Sequence, residues 1–123
     1  MFKKIWDELT SKYGEDFDWG YWDSDLYFKE LNNELTEKHP LYNNIECFVG
    51  KCFFDDDALY LKKNGRAVIV HLGWPSKKRK DMSGEFPTYT EFLDLKSAIE
   101  YIEKEFVESR EYSEDYNKNL RKS

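Results

Sequence analysis

The sequence is poor in the residues from which reactive centres are usually assembled: two cysteines, two histidines, six glycines and three prolines among 123 residues. The glycines are not grouped, which excludes a phosphate-cradling loop. No apolar run approaches the roughly 20 residues that a membrane helix requires. The N-terminal stretch "MFKKIWDELTSKYG" lacks the apolar segment of a cleavable signal, so no secretory export is expected. With only Cys47 and Cys52 as thiols, the expected compartment is a reducing cytoplasm. Positive charge is scarce as well. Nineteen Lys and Arg against 25 Asp and Glu leave a net charge of −6, and the isoelectric point is near 5.0. That balance argues against nucleic-acid binding and against an anionic membrane surface.

What the chain has instead is rings and acids. Aromatic residues make up 18% and charged residues 36%, which suits one soluble domain over residues 1–123 whose core volume comes largely from Phe, Tyr and Trp. Phe2, Ile5, Trp6, Leu9 and Tyr13 share one helical face, and Gly14 follows at the position of a terminating glycine. Leu95, Ala98, Ile99, Ile102 and Phe106 repeat that spacing, with Asp94 as N-cap and Glu100–Lys104 as an i,i+4 pair. A further helix is expected from Leu26 to Glu37, capped by Ser24 and ended by His39-Pro40.

The middle of the chain reads as β. "IECFVGKCFF" is β-branched and aromatic, with Gly50 as a candidate bulge. "ALYLKK" and "RAVIVHLGW" flank Asn64-Gly65, which predicts a two-residue type I′ hairpin turn. "AVIVHL" is apolar on both faces and predicts a central strand covered on both sides. A fourth strand is expected near Thr88–Phe92, "PSKKRKDMSGE" reads as a polar loop, and the charged tail from Glu108 to Ser123 as a frayed or solvated helix end. The predicted fold class is α+β: two N-terminal helices, a four-stranded mainly antiparallel meander, and a C-terminal helix packed on the sheet.

Few residues offer chemistry. Cys47 and Cys52, five apart on an unbroken strand, point to opposite faces, so buried thiols fit better than a zinc site. His71 shares a strand face with Ala67 and Ile69 and reads either as a core histidine or as a general base. Asp55, Asp56 and Asp57 form either a turn or a divalent-cation site, and the turn is favoured. "KKRK" at 77–80 is a solvated loop. "GEDFDWGYWDSD" alternates acids with rings at residues 14–25. A calcium loop beginning at Asp16 fails, because Tyr21 and Tyr27 occupy the positions that need glycine and glutamate. Two readings of that stretch stay open: rings in the core with wet acids, or an exposed acidic-aromatic docking surface.

From His39 to Ile102 the chain resembles a set of small bacterial proteins. Their pattern runs His-Pro-Leu-Tyr (His39 to Tyr42), Asp-Asp before a hairpin (Asp56, Asp57), an Ala-to-Trp strand (Ala67 to Trp74), then Pro87-Thr88 and Phe92, with Gly73 standing where Thr is usual. Proteins similar in size and charge serve as immunity proteins in bacterial toxin systems, including contact-dependent growth inhibition. The resemblance points in kind to an immunity protein. With no catalytic constellation assembled and acids interleaved with rings, the expectation is a non-enzymatic protein that neutralises a basic, nuclease-type toxin domain by binding it, and no cofactor or metal is expected. The residues expected at such an interface are Asp16, Asp18, Trp19, Tyr21, Trp22, Asp23, Asp55, Asp56 and Asp57. The alternatives are a small enzyme using His71 with a neighbouring carboxylate, and an interaction domain without chemistry.

Overall fold

The computed structural model describes residues 2–21, 25–73 and 85–122, with side chains up to residue 109. The element order is α1 (Phe2–Tyr13), β1 (Trp19–Gly20), α2 (Leu26–Glu34), β2 (Ile45–Cys52), β3 (Asp57–Lys62), β4 (Ala67–His71), β5 (Tyr89–Phe92) and α3 (Leu95–Lys122). The five strands form one antiparallel sheet in the order β1-β2-β3-β4-β5. The α+β class and the meander are as expected, and the sheet has one strand more than the sequence reading allowed. The addition is β1, inside the stretch read as an interhelix loop. Trp19 pairs with Cys52 and Gly20 with Lys51, and Phe53 N–H donates to Asp18 O at 2.8 Å to extend the ladder.

Helix α1 forms for the reason its spacing predicts. Trp6 and Leu9 are buried against the sheet, and Gly14 ends the helix at φ 90° with its N–H on Thr10 O at 2.7 Å. The sheet separates two apolar layers. On one face Trp6, Phe17, Trp19, Val49, Leu59, Ile69, Ile102 and Phe106 join α1 and α3 to the strands. On the other, Leu31, Leu35 and Leu41 cover Ile45, Phe48, Tyr60, Val68 and Val70. Strand β4 is thus covered on both sides, with Ala67 to Val70 all buried.

Strand β2 carries register shifts between Ile45 and Cys47 and between Phe48 and Gly50. The second shift is the bulge expected at Gly50, and it has a packing cause. A Cβ there would lie 2.3 Å from the Trp6 indole, whose Nε1–H donates to Val49 O at 2.9 Å. Trp6 also stacks on Trp19 with ring centroids 5.7 Å apart. Glycine at this bulge is the space the indole occupies.

Three local expectations need correction. Helix α2 ends at Glu34, not Glu37, because Leu35 turns extended (φ −80°, ψ 139°) and enters the core beside Leu31. Its N-terminal flank is Asp25, while the expected cap Ser24 lies outside the described residues. The β3–β4 turn has three loop residues. Lys62 N–H bonds Arg66 O, Gly65 N–H bonds Lys62 O, and Gly65 alone takes positive φ, at 88°. That is a type I turn closed by a left-handed glycine. Among the described residues of α3 the i,i+4 ion pairs are Lys96–Glu100 and Lys104–Glu108, where Glu100–Lys104 was expected; Asp94 does cap the helix, Oδ1 accepting Ser97 N–H at 2.8 Å. The expected polar loop at residues 75–85 lies outside the described residues except for Glu85, which is exposed.

The segment between α2 and β2 is pinned by His39, which is 3% exposed. Leu41 N–H donates to its Nδ1 at 3.0 Å, and its Nε2 lies 2.8 Å from Pro87 O. A carbonyl only accepts, so the hydrogen sits on Nε2 and the ring is neutral. One imidazole therefore joins the start of this segment to the entry of β5.

Candidate functional site: an acidic groove at the end of the sheet

Pairing across the strands places the site. Trp19 sits opposite Cys52, and Asp57 opposite His71. His71 N–H donates to Thr88 O at 2.9 Å, which carries the row onto the chain entering β5. The neighbouring row on this face holds Leu59, Ile69 and Thr90, of which Leu59 and Ile69 are core. One step along the sheet therefore separates packed hydrocarbon from polar side chains.

The turn before β3 aims its acids at this row. Lys51, 7% exposed, donates from Nζ to Cys52 O at 2.8 Å and to Asp55 O, gathering the carbonyls of the turn. Leu72 N–H holds Asp56 O at 3.0 Å, and Asp56 N–H bonds the Asp55 carboxylate at 2.6 Å. Asp57 Oδ1 then lies 2.9 Å and Asp55 Oδ1 3.4 Å from His71 Nδ1. The hydrogen bond to Asp57, with the charges of Asp55 and Asp56, raises the pKa of His71 above the ordinary value.

Asp55 and Asp57 border a groove of about 410 Å³ between the sheet and α3. Its floor includes Cys52, Ile69 and Thr90; Tyr101, Ile102, Glu105 and Phe106 line the α3 side; and Asp18 and Trp19 close the end near β1. Four of the described lining residues are carboxylic acids and none is Lys or Arg. Burial raises the pKa of Asp18 and of the Cys52 thiol. Outside the groove Phe53 lies over Gly20, where a Cβ would meet its ring at 2.4 Å. Phe54, next to it, is 83% exposed.

The nine expected interface residues divide. Asp18, Trp19, Asp55 and Asp57 meet at the groove. Trp19 is a correction: it is 7% exposed and stacked on Trp6, so it is a core ring showing an edge and not a free anchor. Tyr21 is half-buried against Phe48, centroids 6.0 Å apart. Asp16 is exposed but does not line the groove, and Asp56 serves the turn through its carbonyl. Trp22 and Asp23 lie outside the described residues.

His71 corrects the reading of a core histidine. Its side chain is 55% exposed, because it stands at the open end of β4 with acids as neighbours. The tyrosine and glutamate of α3 were missed. Tyr101 and Glu105 are spaced i,i+4 beside the apolar stripe, and that spacing was the available signal. Cys52 is buried and Cys47 half-buried, both as free thiols. Comparison of the chain with protein-family models, with curated proteins and with solved structures gave no match. Among the described residues no helix is long and apolar enough to cross a membrane.

Proposed function

We propose that the chain is a non-enzymatic binding protein that takes a basic segment of a protein partner into the acidic groove, in the manner of an immunity protein blocking a nuclease-type toxin. The carrying observation is the groove's composition: Asp18, Asp55, Asp57 and Glu105 around aromatic walls, with no cation among its described lining residues. Carboxylates converging on one cleft raise the local concentration of a cationic partner and speed encounter. Aromatic rings then supply the desolvated anchors that slow dissociation. Phe54 and Tyr101, 83% and 44% exposed, stand ready for that role.

Co-expression with the adjacent toxin-like reading frame tests this. The two products should co-purify, with association slowing as ionic strength rises. Asp55→Lys should lower the association rate, and Phe54→Ala should mainly raise the dissociation rate. A genomic neighbourhood without such a frame, or a complex indifferent to both substitutions, refutes the reading.

A second reading has one observation behind it: a carboxylate-paired imidazole, His71 with Asp57 at 2.9 Å, lies open to solvent beside the groove. That pair has the make-up of a general base. A toxin complex that forms unchanged in His71→Gln favours binding alone.

A further inference from the structure

We propose that Asp55, Asp57 and His71 form a binding site for a divalent transition-metal cation of the zinc(II) type. The site shares Asp55 and Asp57 with the partner groove, but cation binding there does not require the partner reading to hold. A carboxylate oxygen from each aspartate and a ring nitrogen of His71 all lie within 4.8 Å of one another. The two edges that meet at Nδ1 measure 2.9 and 3.4 Å. A cation with bonds of about 2.0–2.1 Å sets neighbouring ligands roughly 3.0 Å apart in octahedral and about 3.3 Å apart in tetrahedral geometry. Two of the three donor pairs thus already stand near ligand-to-ligand spacing, the third pair lies within 4.8 Å, and side-chain rotations complete the convergence.

The backbone beneath these side chains is fixed independently of any cation. Asp57 and His71 are direct cross-strand partners. Lys51 and the Leu72 N–H hold the carbonyls of Asp55 and Asp56. Little ordering therefore remains for a cation to impose. The imidazole also distinguishes this set from an ordinary acidic turn. A mixed nitrogen and carboxylate donor set suits zinc and its neighbours, whereas calcium and magnesium take oxygen ligands alone. On binding, the proton that His71 shares with Asp57 leaves to solvent, and the ring nitrogen takes the cation in its place. With three protein ligands on a half-exposed surface, remaining coordination positions face water and the groove.

The experiment is titration of the full chain with zinc(II) and cobalt(II) by calorimetry and absorption, with calcium(II) and magnesium(II) as comparisons. The expected result is one cation per chain, bound more tightly as pH rises through the titration of His71, with calcium and magnesium much weaker. Asp57→Asn and His71→Gln should each weaken zinc binding at least roughly tenfold, and Asp16→Asn should leave it unchanged. Asp16 and His71 are exposed and Asp57 is half-buried, and circular dichroism checks that each variant is folded. A separate readout needs no variant: the Nδ1 resonance of His71 should shift on addition of zinc. No binding overturns the proposal, as does binding indifferent to Asp57→Asn and His71→Gln. A thiolate-to-cobalt absorption band also overturns it, because it would place the ion on Cys47 or Cys52.

Discussion

Glu34 gives the chain a stability that should fall as pH rises. The carboxyl ends α2, and its Oε1 accepts Gly73 N–H at 2.8 Å. Its Oε2 is buried without a donor, and the Glu30 carboxyl lies within hydrogen-bonding reach. Two carboxylates cannot hydrogen-bond, so one proton must be shared. Burial, the Glu30 hydrogen bond and the charges of Glu30 and Asp56 together raise the Glu34 pKa from 4.5 to about 8. An acid whose pKa is raised in the folded state holds a proton that the unfolded chain has released. Its stabilisation is complete below about pH 4.5 and is lost as pH climbs towards about 8.

At ~1.4 kcal/mol per pH unit the full span is bounded near 5 kcal/mol, and screening of this half-buried group brings it to about 1–2 kcal/mol. For a domain of this size that is roughly 4–8 °C in melting temperature. Urea unfolding from about pH 5 to about pH 9 measures it. Glu34→Gln keeps an oxygen for Gly73 and offers Glu30 an amide hydrogen. The variant should match the wild type in acid and exceed it by about 1–2 kcal/mol at the alkaline end. His71, also raised, slopes in the same direction and remains in the variant, so the difference between the two proteins isolates Glu34. Equal slopes in wild type and variant would refute the reasoning.

Two further outcomes follow from buried geometry. Gly50→Ala drives a Cβ into the Trp6 indole, 2.3 Å away, and breaks its bond to Val49 O. The cost should be about 2–4 kcal/mol by denaturant unfolding, and smaller in a Trp6→Phe background, where the smaller ring leaves room. His39→Leu strands the Leu41 N–H and the Pro87 carbonyl and should cost about 2–3 kcal/mol, with faster amide exchange at Leu41.

How far the sequence reveals this depends on where each signal comes from. Helix α1 and the start of α3 are legible because five apolar residues in each recur at helical spacing. The doubly apolar β4 is legible because no solvated face interrupts Ala67 to Val70. Strand β1 is not: it is two residues long, contains glycine, and exists through pairing with Cys52 and Lys51, thirty-odd positions away. The hairpin turn shows a similar limit. Asn64-Gly65 marks where the chain reverses, but the third loop residue follows from the Lys62–Arg66 bond that closes it. Parity put His71 on the face of Ala67 and Ile69, and the structure agrees. Its exposure depends on how far the layer over that face extends, which no local pattern encodes.

The candidate site owes its character to what Lys51 does not do. A buried lysine beside three consecutive aspartates would ordinarily pair with a carboxylate and cancel charge. Here Nζ bonds the carbonyls of Cys52 and Asp55, so the cation serves the backbone and the Asp55 and Asp57 carboxylates are left to face His71. The aspartates are thereby positioned without being neutralised, and a single imidazole offsets two acids. Removing His71 should leave that repulsion uncompensated, whereas a divalent cation or a basic partner side chain relieves it more fully than the imidazole can. The same unbalanced charge underlies both the binding reading and the cation site. They are told apart by chemistry: an extended cationic segment needs Asp18 and Glu105 as well, while a metal ion needs only the ring nitrogen and the two oxygens within 4.8 Å.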